Sequence, residues 1–141
     1  MKKFALLLLL IAAPAMAGDM ENTTVTFRNG DTYVFTPFDV KGNGMRAFHV
    51  TNNQARVTVD RFDGATVEPD TGDMGCFEIF YDATTDLLHC PEKNGYQGWY
   101  TSYYRSENHA LVLEKVRRMD MDDPDTQENE EKTVTVYKRK K

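Results

Sequence analysis

The sequence is poor in residues that carry catalysis and metal binding. It has three histidines, and its only serines are Ser102 and Ser106. Neither serine lies in the Gly-x-Ser-x-Gly pattern of a nucleophile elbow, and the histidines lack the short spacings of metal ligands. Ser106 and His109 are close in the chain, but closeness in sequence does not supply the geometry of a catalytic triad. We therefore predict no enzymatic activity, no cofactor and no metal centre.

Long apolar runs are absent after the first residues of the chain. Lys2 and Lys3 precede an apolar run at 4–13, and Ala15-Met16-Ala17 follows as a small-x-small sequence. A membrane-spanning helix needs about 20 apolar residues, so the run is too short for a retained anchor. This order of features is typical of a secretory signal peptide. We predict that residues 1–17 are removed on export to the periplasm or on secretion, leaving no integral membrane segment.

Basic residues are fewer than acidic residues. The chain has 17 Lys and Arg against 22 Asp and Glu, a formal charge of −5 that becomes −7 once residues 1–17 are removed. An acidic surface repels the phosphates of nucleic acids, which argues against binding them through the bulk surface. The same charge favours a protein partner with a basic surface, through electrostatic steering.

Helical periodicity is absent from residues 18–141, whereas short alternating runs between turn residues are frequent. The pattern contains about nine strands, and regular short strands of this kind are typical of an all-β sandwich or barrel. We predict one all-β domain over 18–141. Its expected form is a small antiparallel meander of about eight or nine strands that closes or curves strongly into a barrel, with a two-sheet β-sandwich as the alternative.

The dipeptide Asn29-Gly30 marks the first hairpin. A two-residue loop would divide the apolar residues between both faces. A three-residue loop at 28–30, with Gly30 at a bulge, instead places four of them on one face: Val25, Phe27, Tyr33 and Phe35. Because a slip of one residue flips every side chain, burial favours the three-residue loop.

The dipeptide Asn52-Asn53 marks the second hairpin. Asparagine tolerates the positive φ angles that a tight turn requires. A two-residue loop pairs Val50 with Ala55 and Phe48 with Val57. The resulting alternation of apolar and polar residues is that of a half-buried antiparallel sheet.

The two cysteines, Cys76 and Cys90, frame a third hairpin. Pairing them antiparallel places Tyr81 opposite Thr85 and leaves a loop at 82–84. Opposed residues lie about 5 Å apart at Cα, within the range of a disulfide. We predict a cross-strand Cys76–Cys90 disulfide, which suits an oxidising compartment, with two free thiols as the alternative. Either face of this hairpin is compatible with the core.

Aromatic residues concentrate at 96–104. The predicted strand places Tyr96, Tyr100 and Tyr104 on one face and the remaining pair on the other. Either set offers a flat platform for a sugar ring or for a partner's side chain, because aromatic side chains combine a large contact area with a polar tip. In the alternative interpretation one set belongs to the core and the other covers a sheet edge. The predicted binding residues are Tyr96, Trp99, Tyr100, Tyr103 and Tyr104.

An acidic segment at 120–131 holds seven carboxylates and no basic residue. Asp120, Asp122, Glu128 and Glu131 match the first, third, ninth and twelfth positions of a calcium-binding loop. Pro124 and Asp125, however, stand where that loop requires an oxygen ligand and a glycine. We interpret the segment as a solvated loop, with calcium binding as the alternative.

These features predict an exported, non-enzymatic binding domain that engages a protein partner in the cell envelope. The aromatic strand and the acidic segment are the predicted contact surfaces. Two other functions stay open: a β-barrel that holds a small apolar or glycan ligand, and a structural component of the envelope. The oligomeric state is also left open.

Overall fold

A computed structural model describes residues 21–40, 45–93, 99–120 and 132–140. The predicted signal peptide at 1–17, Tyr96, and residues 121–131 of the acidic segment lie outside these ranges. Among the described residues, no helix is long and apolar enough to cross a membrane.

The described ranges contain twelve strands, which are short and bounded by turns as the sequence pattern predicts. In chain order they are β1 (Thr23–Thr26), β2 (Thr32–Val40), β3 (Arg46–Asn52), β4 (Ala55–Arg56), β5 (Thr58–Phe62), β6 (Val67–Thr71), β7 (Asp73–Cys76), β8 (Phe80–Asp82), β9 (Leu87–Lys93), β10 (Trp99–Glu107), β11 (Ala110–Asp120) and β12 (Lys132–Lys138).

The strands form two sheets. The first has the order β1-β2-β3-β4, with β7 also paired to β3. The second has the order β6-β5-β11-β10-β9-β8, with β12 also paired to β11. All pairings are antiparallel except that of β5 with β11, where Val59 and Leu111 are partners. The all-β prediction is confirmed in its two-sheet alternative, and the prediction of a closed barrel is wrong.

The described strands do not close into a barrel because the chain changes sheets after β4. That strand pairs with β3 through only two residues, Ala55 and Arg56. The next strand, β5, joins the second sheet between β6 and β11. The rest of the β3 edge is occupied by β7, from Asp73 to Cys76. The predicted meander is therefore divided into two ladders whose apolar faces meet, as in a sandwich.

The hydrophobic core lies between the two sheets and takes residues from both. On β3, for example, burial alternates, so that Phe48, Val50 and Asn52 point inward. In chain order, the buried apolar residues are Val25, Phe27, Tyr33, Phe35, Phe48, Val50, Val57, Val59, Met74, Cys76, Leu88, Cys90, Tyr104, Leu111, Leu113 and Val116.

The first hairpin forms as predicted. Thr26 pairs with Thr32 and Val25 with Tyr33, which leaves the three-residue loop with Gly30 at a φ of 92°. An L-amino acid with a side chain adopts this left-handed conformation only with strain, so glycine suits the position. The four apolar residues assigned to one face are all buried.

The second hairpin forms in a different register. Asn52 pairs with Ala55, so Asn53 and Gln54 are the loop residues, with φ of 52° and 68°. The predicted pairing of Val50 with Ala55 is therefore wrong. Asn52 is buried, and its side-chain amide donates to the carbonyl of Thr32 at 2.9 Å, which holds it inside the ladder. Because the shift is an even number of residues, the predicted inner face is preserved.

The Cys76–Cys90 disulfide is confirmed, with the two Cα atoms 5.2 Å apart. Its position in the fold differs from the prediction. Cys76 ends β7 in the first sheet and Cys90 lies on β9 in the second, so the bond joins the two sheets rather than neighbouring strands. Beside it, the N–H of Phe77 donates to the carbonyl of Pro91 at 2.8 Å. Both cysteines are buried, at 0% and 3% exposure.

The third hairpin also has another register. Tyr81 pairs with Leu88 rather than Thr85. The turn is longer than predicted, and Asp86 adopts a φ of 60° within it. Because the pairing shifts by an odd number of residues, each β8 side chain lies on the opposite face, relative to β9, from the one predicted. Tyr81 packs on the inner side with Leu88, and Phe80, paired with His89, is exposed.

Replacing both cysteines with alanine should lower the free energy of unfolding by about 3 kcal/mol, because the unfolded chain regains the freedom of a ring of this length. The cysteines are separated by 14 positions. Urea unfolding followed by circular dichroism measures the loss. Wild-type protein that is unfolded in the presence of a reductant is the control and should match the variant. A loss under about 1 kcal/mol would contradict this role of the bond.

Candidate functional site

Strand β10 directs its aromatic residues to opposite sides of the second sheet. Tyr104 is only 5% exposed, and its hydroxyl donates to the carbonyl of Asp60 at 3.1 Å. Tyr100 packs against the core, and Trp99 is the first residue of the strand. Alternation along the strand places Tyr103 on the outer face. Tyr104 therefore serves the core, and Tyr103 is the described tyrosine of the predicted set that remains for contact with a partner.

The register of the second sheet places Tyr103 in a row that crosses five strands. His89 on β9 pairs with Phe80 on β8 and with Tyr103 on β10. Tyr103 pairs in turn with Lys115 on β11, and Lys115 pairs with Lys138 on β12. Directly opposed residues in a ladder project from the same face. This outer row consists of Phe80, His89, Tyr103, Lys115 and Lys138.

The aromatic members of the outer row contact one another edge to face. The ring centroids of Phe80 and His89 are 5.3 Å apart, and those of His89 and Tyr103 are 4.5 Å apart. The Nζ atom of Lys115 lies 4.8 Å from the centroid of the Tyr103 ring. Edge-to-face pairs and a cation over a ring are favourable arrangements. The row is therefore a continuous surface, and Phe80 at 54% exposure is its most open aromatic member.

The basic end of the outer row carries charge that no described carboxylate pairs with. Lys115 and Lys138 face each other on neighbouring strands, and no carboxylate among the described residues forms an ion pair with either. Like charges directly opposite in a ladder are destabilising. Arg117 continues the basic surface along β11, and its Nε atom is buried with no hydrogen-bond partner. This end of the row is an electropositive site that suits an anionic group.

The nearby Arg105 differs from these three cations because its charge is balanced. Its guanidinium pairs with the carboxylate of Glu107 at 2.7 Å and also with Glu114. These contacts hold the pKa of Glu107 below its usual range and raise that of Arg105. Arg105 therefore helps to join β10 to β11 and adds little to the anion-binding end of the row.

His89 is held in its neutral form. Burial lowers the pKa of its imidazole below the ordinary value, the positive charge of Lys115 lowers it further, and the carboxylate of Asp82 opposes both. At neutral pH the ring is therefore an uncharged aromatic surface between Phe80 and Tyr103. In acid it becomes a cation beside Lys115, which would strengthen the positive potential of the row.

A second exposed aromatic patch lies on the first sheet. The Phe38 ring stacks on His49, with centroids 3.8 Å apart. The His49 ring is hydrogen-bonded to Asp73 at 2.8 Å, and Asp73 also pairs with Arg56. The hydrogen bond from His49, followed by the contact with Arg56, holds the pKa of Asp73 below its usual range. Because its charges are balanced, this patch lacks the electrostatic signal of the outer row.

Ser106 and His109 meet a shared carboxylate instead of each other. The Ser106 hydroxyl donates to one oxygen of Asp31 at 3.0 Å, and the His109 ring bonds to the other oxygen at 2.8 Å. The Tyr33 hydroxyl bonds to the Ser106 hydroxyl at 2.6 Å. In a catalytic triad the histidine contacts the serine, which is not the arrangement here. The network joins the first turn to the β10–β11 turn at one end of the sandwich.

Sequence reasoning identified Tyr103 but not its neighbours in the row. Phe80, His89 and Lys115 come from three other strands, and their spacing along the chain carries no signal of contact. They meet only through strand order and register. The one local signal was the alternation around Tyr103, which places it on the face opposite Tyr104.

Comparison with family models, with curated proteins and with solved structures finds no significant match to this chain. Its function is therefore argued from the geometry of its own residues.

The neutral state of His89 predicts a pH-dependent stability. Its pKa is lowered in the fold from the ordinary value of 6.5, so the unfolded chain binds the proton more readily. Stability should consequently fall as the pH drops through about 6.5 and toward the lower folded value. His89→Phe keeps an aromatic ring and removes the titrating group, so its melting temperature should fall less than that of the wild type between pH 7.5 and 5. Equal falls in melting temperature for the two proteins across this range would contradict the half-buried, neutral ring.

Proposed function

We propose that this protein is an exported, non-enzymatic binding domain that engages an acidic segment of a protein partner in the cell envelope. The supporting observation is the outer row, in which aromatic rings lead to the opposed Lys115 and Lys138, neither of which has an ion-pair partner among the described residues. Export rests on the secretory pattern of residues 1–17.

The composition of the outer row favours a protein partner. Tyrosine is one of the residue types enriched at the energetic centres of protein interfaces, and Tyr103 lies at the middle of the row. The row crosses five strands, and at about 4.8 Å per strand spacing it extends roughly 19 Å. That length matches an extended peptide of about six residues. An acidic side chain at one end of such a peptide would meet the lysines while its apolar residues lie on Tyr103 and Phe80.

The net charge of this protein favours a basic partner, whereas the partner proposed here is acidic. The acidic excess of the whole chain favours a basic partner, whereas the outer row and Arg117 present positive charge locally. At physiological ionic strength charges farther than about 8 Å are largely screened. Contact within the row is therefore governed by Lys115 and Lys138, and we propose an acidic segment for this face.

The electrostatic part of the proposal is tested with deca-glutamate as the probe. Titration into the ¹⁵N-labelled protein should shift the amide signals of His89, Tyr103 and Lys115 in two-dimensional NMR spectra. Lys115→Glu should weaken binding at least about tenfold, equal to about 1.4 kcal/mol, because attraction becomes repulsion. The matched control is Lys140→Glu, which makes the same change of net charge at an exposed position outside the row. Equal losses in the two variants would reduce the effect to net charge and overturn the proposal.

The aromatic part is tested with a ten-residue peptide that alternates glutamate and leucine. Phe80→Ala should weaken its binding, while Phe38→Ala, which removes an exposed phenylalanine from the other sheet, should leave it unchanged. A single-stranded oligonucleotide of equal charge is the competing probe. Tighter binding of that oligonucleotide to the same row would overturn the assignment to a protein partner.

A further inference from the structure

A cleft of about 330 Å³ opens between the two sheets, on the side opposite the outer row. The first sheet contributes Met74 and Gly75, and the second contributes Phe62, Cys90 and Tyr104. Its volume is within the range of natural ligand sites, which combine apolar walls with a few polar anchors. A second cavity of about 270 Å³ adjoins it and shares Phe62 with it. The packing of the sandwich thus leaves room for a ligand of moderate size.

Glu92 lies where the two cavities meet, since it lines both. It is on β9 opposite Tyr100, two residues beyond the disulfide-bonded Cys90, and therefore faces the interior. Burial raises the pKa of its carboxyl above the usual range, and the more distant charge of Arg61 only partly opposes this. Among the described residues Glu92 forms no hydrogen bond and no ion pair. Partial burial of a carboxylate that has no cationic partner is unfavourable.

The other carboxylates that line the cleft are already engaged. Asp60 accepts a hydrogen bond from the backbone N–H of Leu113 at 2.9 Å. Asp73 is bonded to His49 and Arg56, as described above. Among the described lining residues Arg61 is the one cation, and it pairs with Asp70 at 3.3 Å. Among the described residues of the cleft, the unpaired charge is therefore the negative charge of Glu92.

We propose that this cleft binds a small amphipathic amine, with the ammonium group on the Glu92 carboxylate and the apolar chain against Phe62 and Met74. The ammonium supplies a counter-charge for this carboxylate, which has none among the described residues, and a charge-assisted hydrogen bond in a partly buried site is stronger than one in water. Fatty acids and other anions are disfavoured because their negative charge would meet that of Glu92, whereas Asp60 and Asp73 are already paired with cations. The site is on the inner side of the second sheet and does not depend on the partner proposed for the outer row.

The test uses n-hexylamine as the probe, with hexanoate and hexanol of equal chain length as comparison ligands. Calorimetry at pH 7 on the intact protein should detect hexylamine binding and much weaker binding of the other two. Glu92→Gln should weaken hexylamine binding at least tenfold. The matched control is Glu68→Gln, the same change at an exposed position, which should leave binding unchanged. Ser102→Leu is a second variant, which keeps Glu92 but fills the space shared by the two cavities and should also reduce binding.

Each contrary result would overturn the proposal. Binding of hexylamine that survives in folded Glu92→Gln would remove the carboxylate from the site. If hexanoate or hexanol binds as tightly as hexylamine, the cleft recognises only the apolar chain and not the ammonium group. A protein that binds hexylamine nowhere up to millimolar concentration would have no such site, whatever the outer row binds.

Discussion

The disulfide between Cys76 and Cys90 is the constraint on which both surfaces of the second sheet depend. It fixes the end of β7 against the middle of β9 across the core. With Cys90 pointing inward, strand alternation sends His89 outward and Glu92 inward. The ladder between β9 and β10 then places Tyr103 beside His89. The alternation of β9 and its pairing with β10 thus determine which residues form the outer row and which line the cleft, and the disulfide fixes β9 against the first sheet.

The two faces of the second sheet have opposite chemistry although they share strands. On β9, His89 belongs to the basic and aromatic outer row, whereas Glu92 belongs to the acidic cleft. Charges on one face are separated from those on the other by the thickness of the sheet. The net charge of the chain is therefore a poor guide to either surface. A domain of this design can hold an anionic group outside and a cationic group inside without conflict.

Local chemistry determined how much of the fold could be predicted. The Asn29-Gly30 turn and its register follow from residues near in sequence, because the φ of glycine and the burial of Phe27 agree. The predicted registers of the second and third hairpins are wrong because distant contacts decide them: β7 takes part of the β3 edge, and this pairing places Cys76 in the first sheet, outside the ladder of Cys90. The outer row could not be predicted for the same reason, since strand order and register bring its residues together.

The opposed pair Lys115 and Lys138 is the feature of the fold that stability alone does not explain. A carboxylate at either position would convert a repulsive cross-strand pair into an attractive one. Lys138 is exposed and adds little to the packing of the fold, whereas Lys115 contacts the Tyr103 ring. Proteins depart from favourable local patterns mainly where function requires it, and they offset the cost elsewhere. Here the disulfide and the shared core supply that stability, and the residual positive charge beside Tyr103 is what an acidic partner would neutralise.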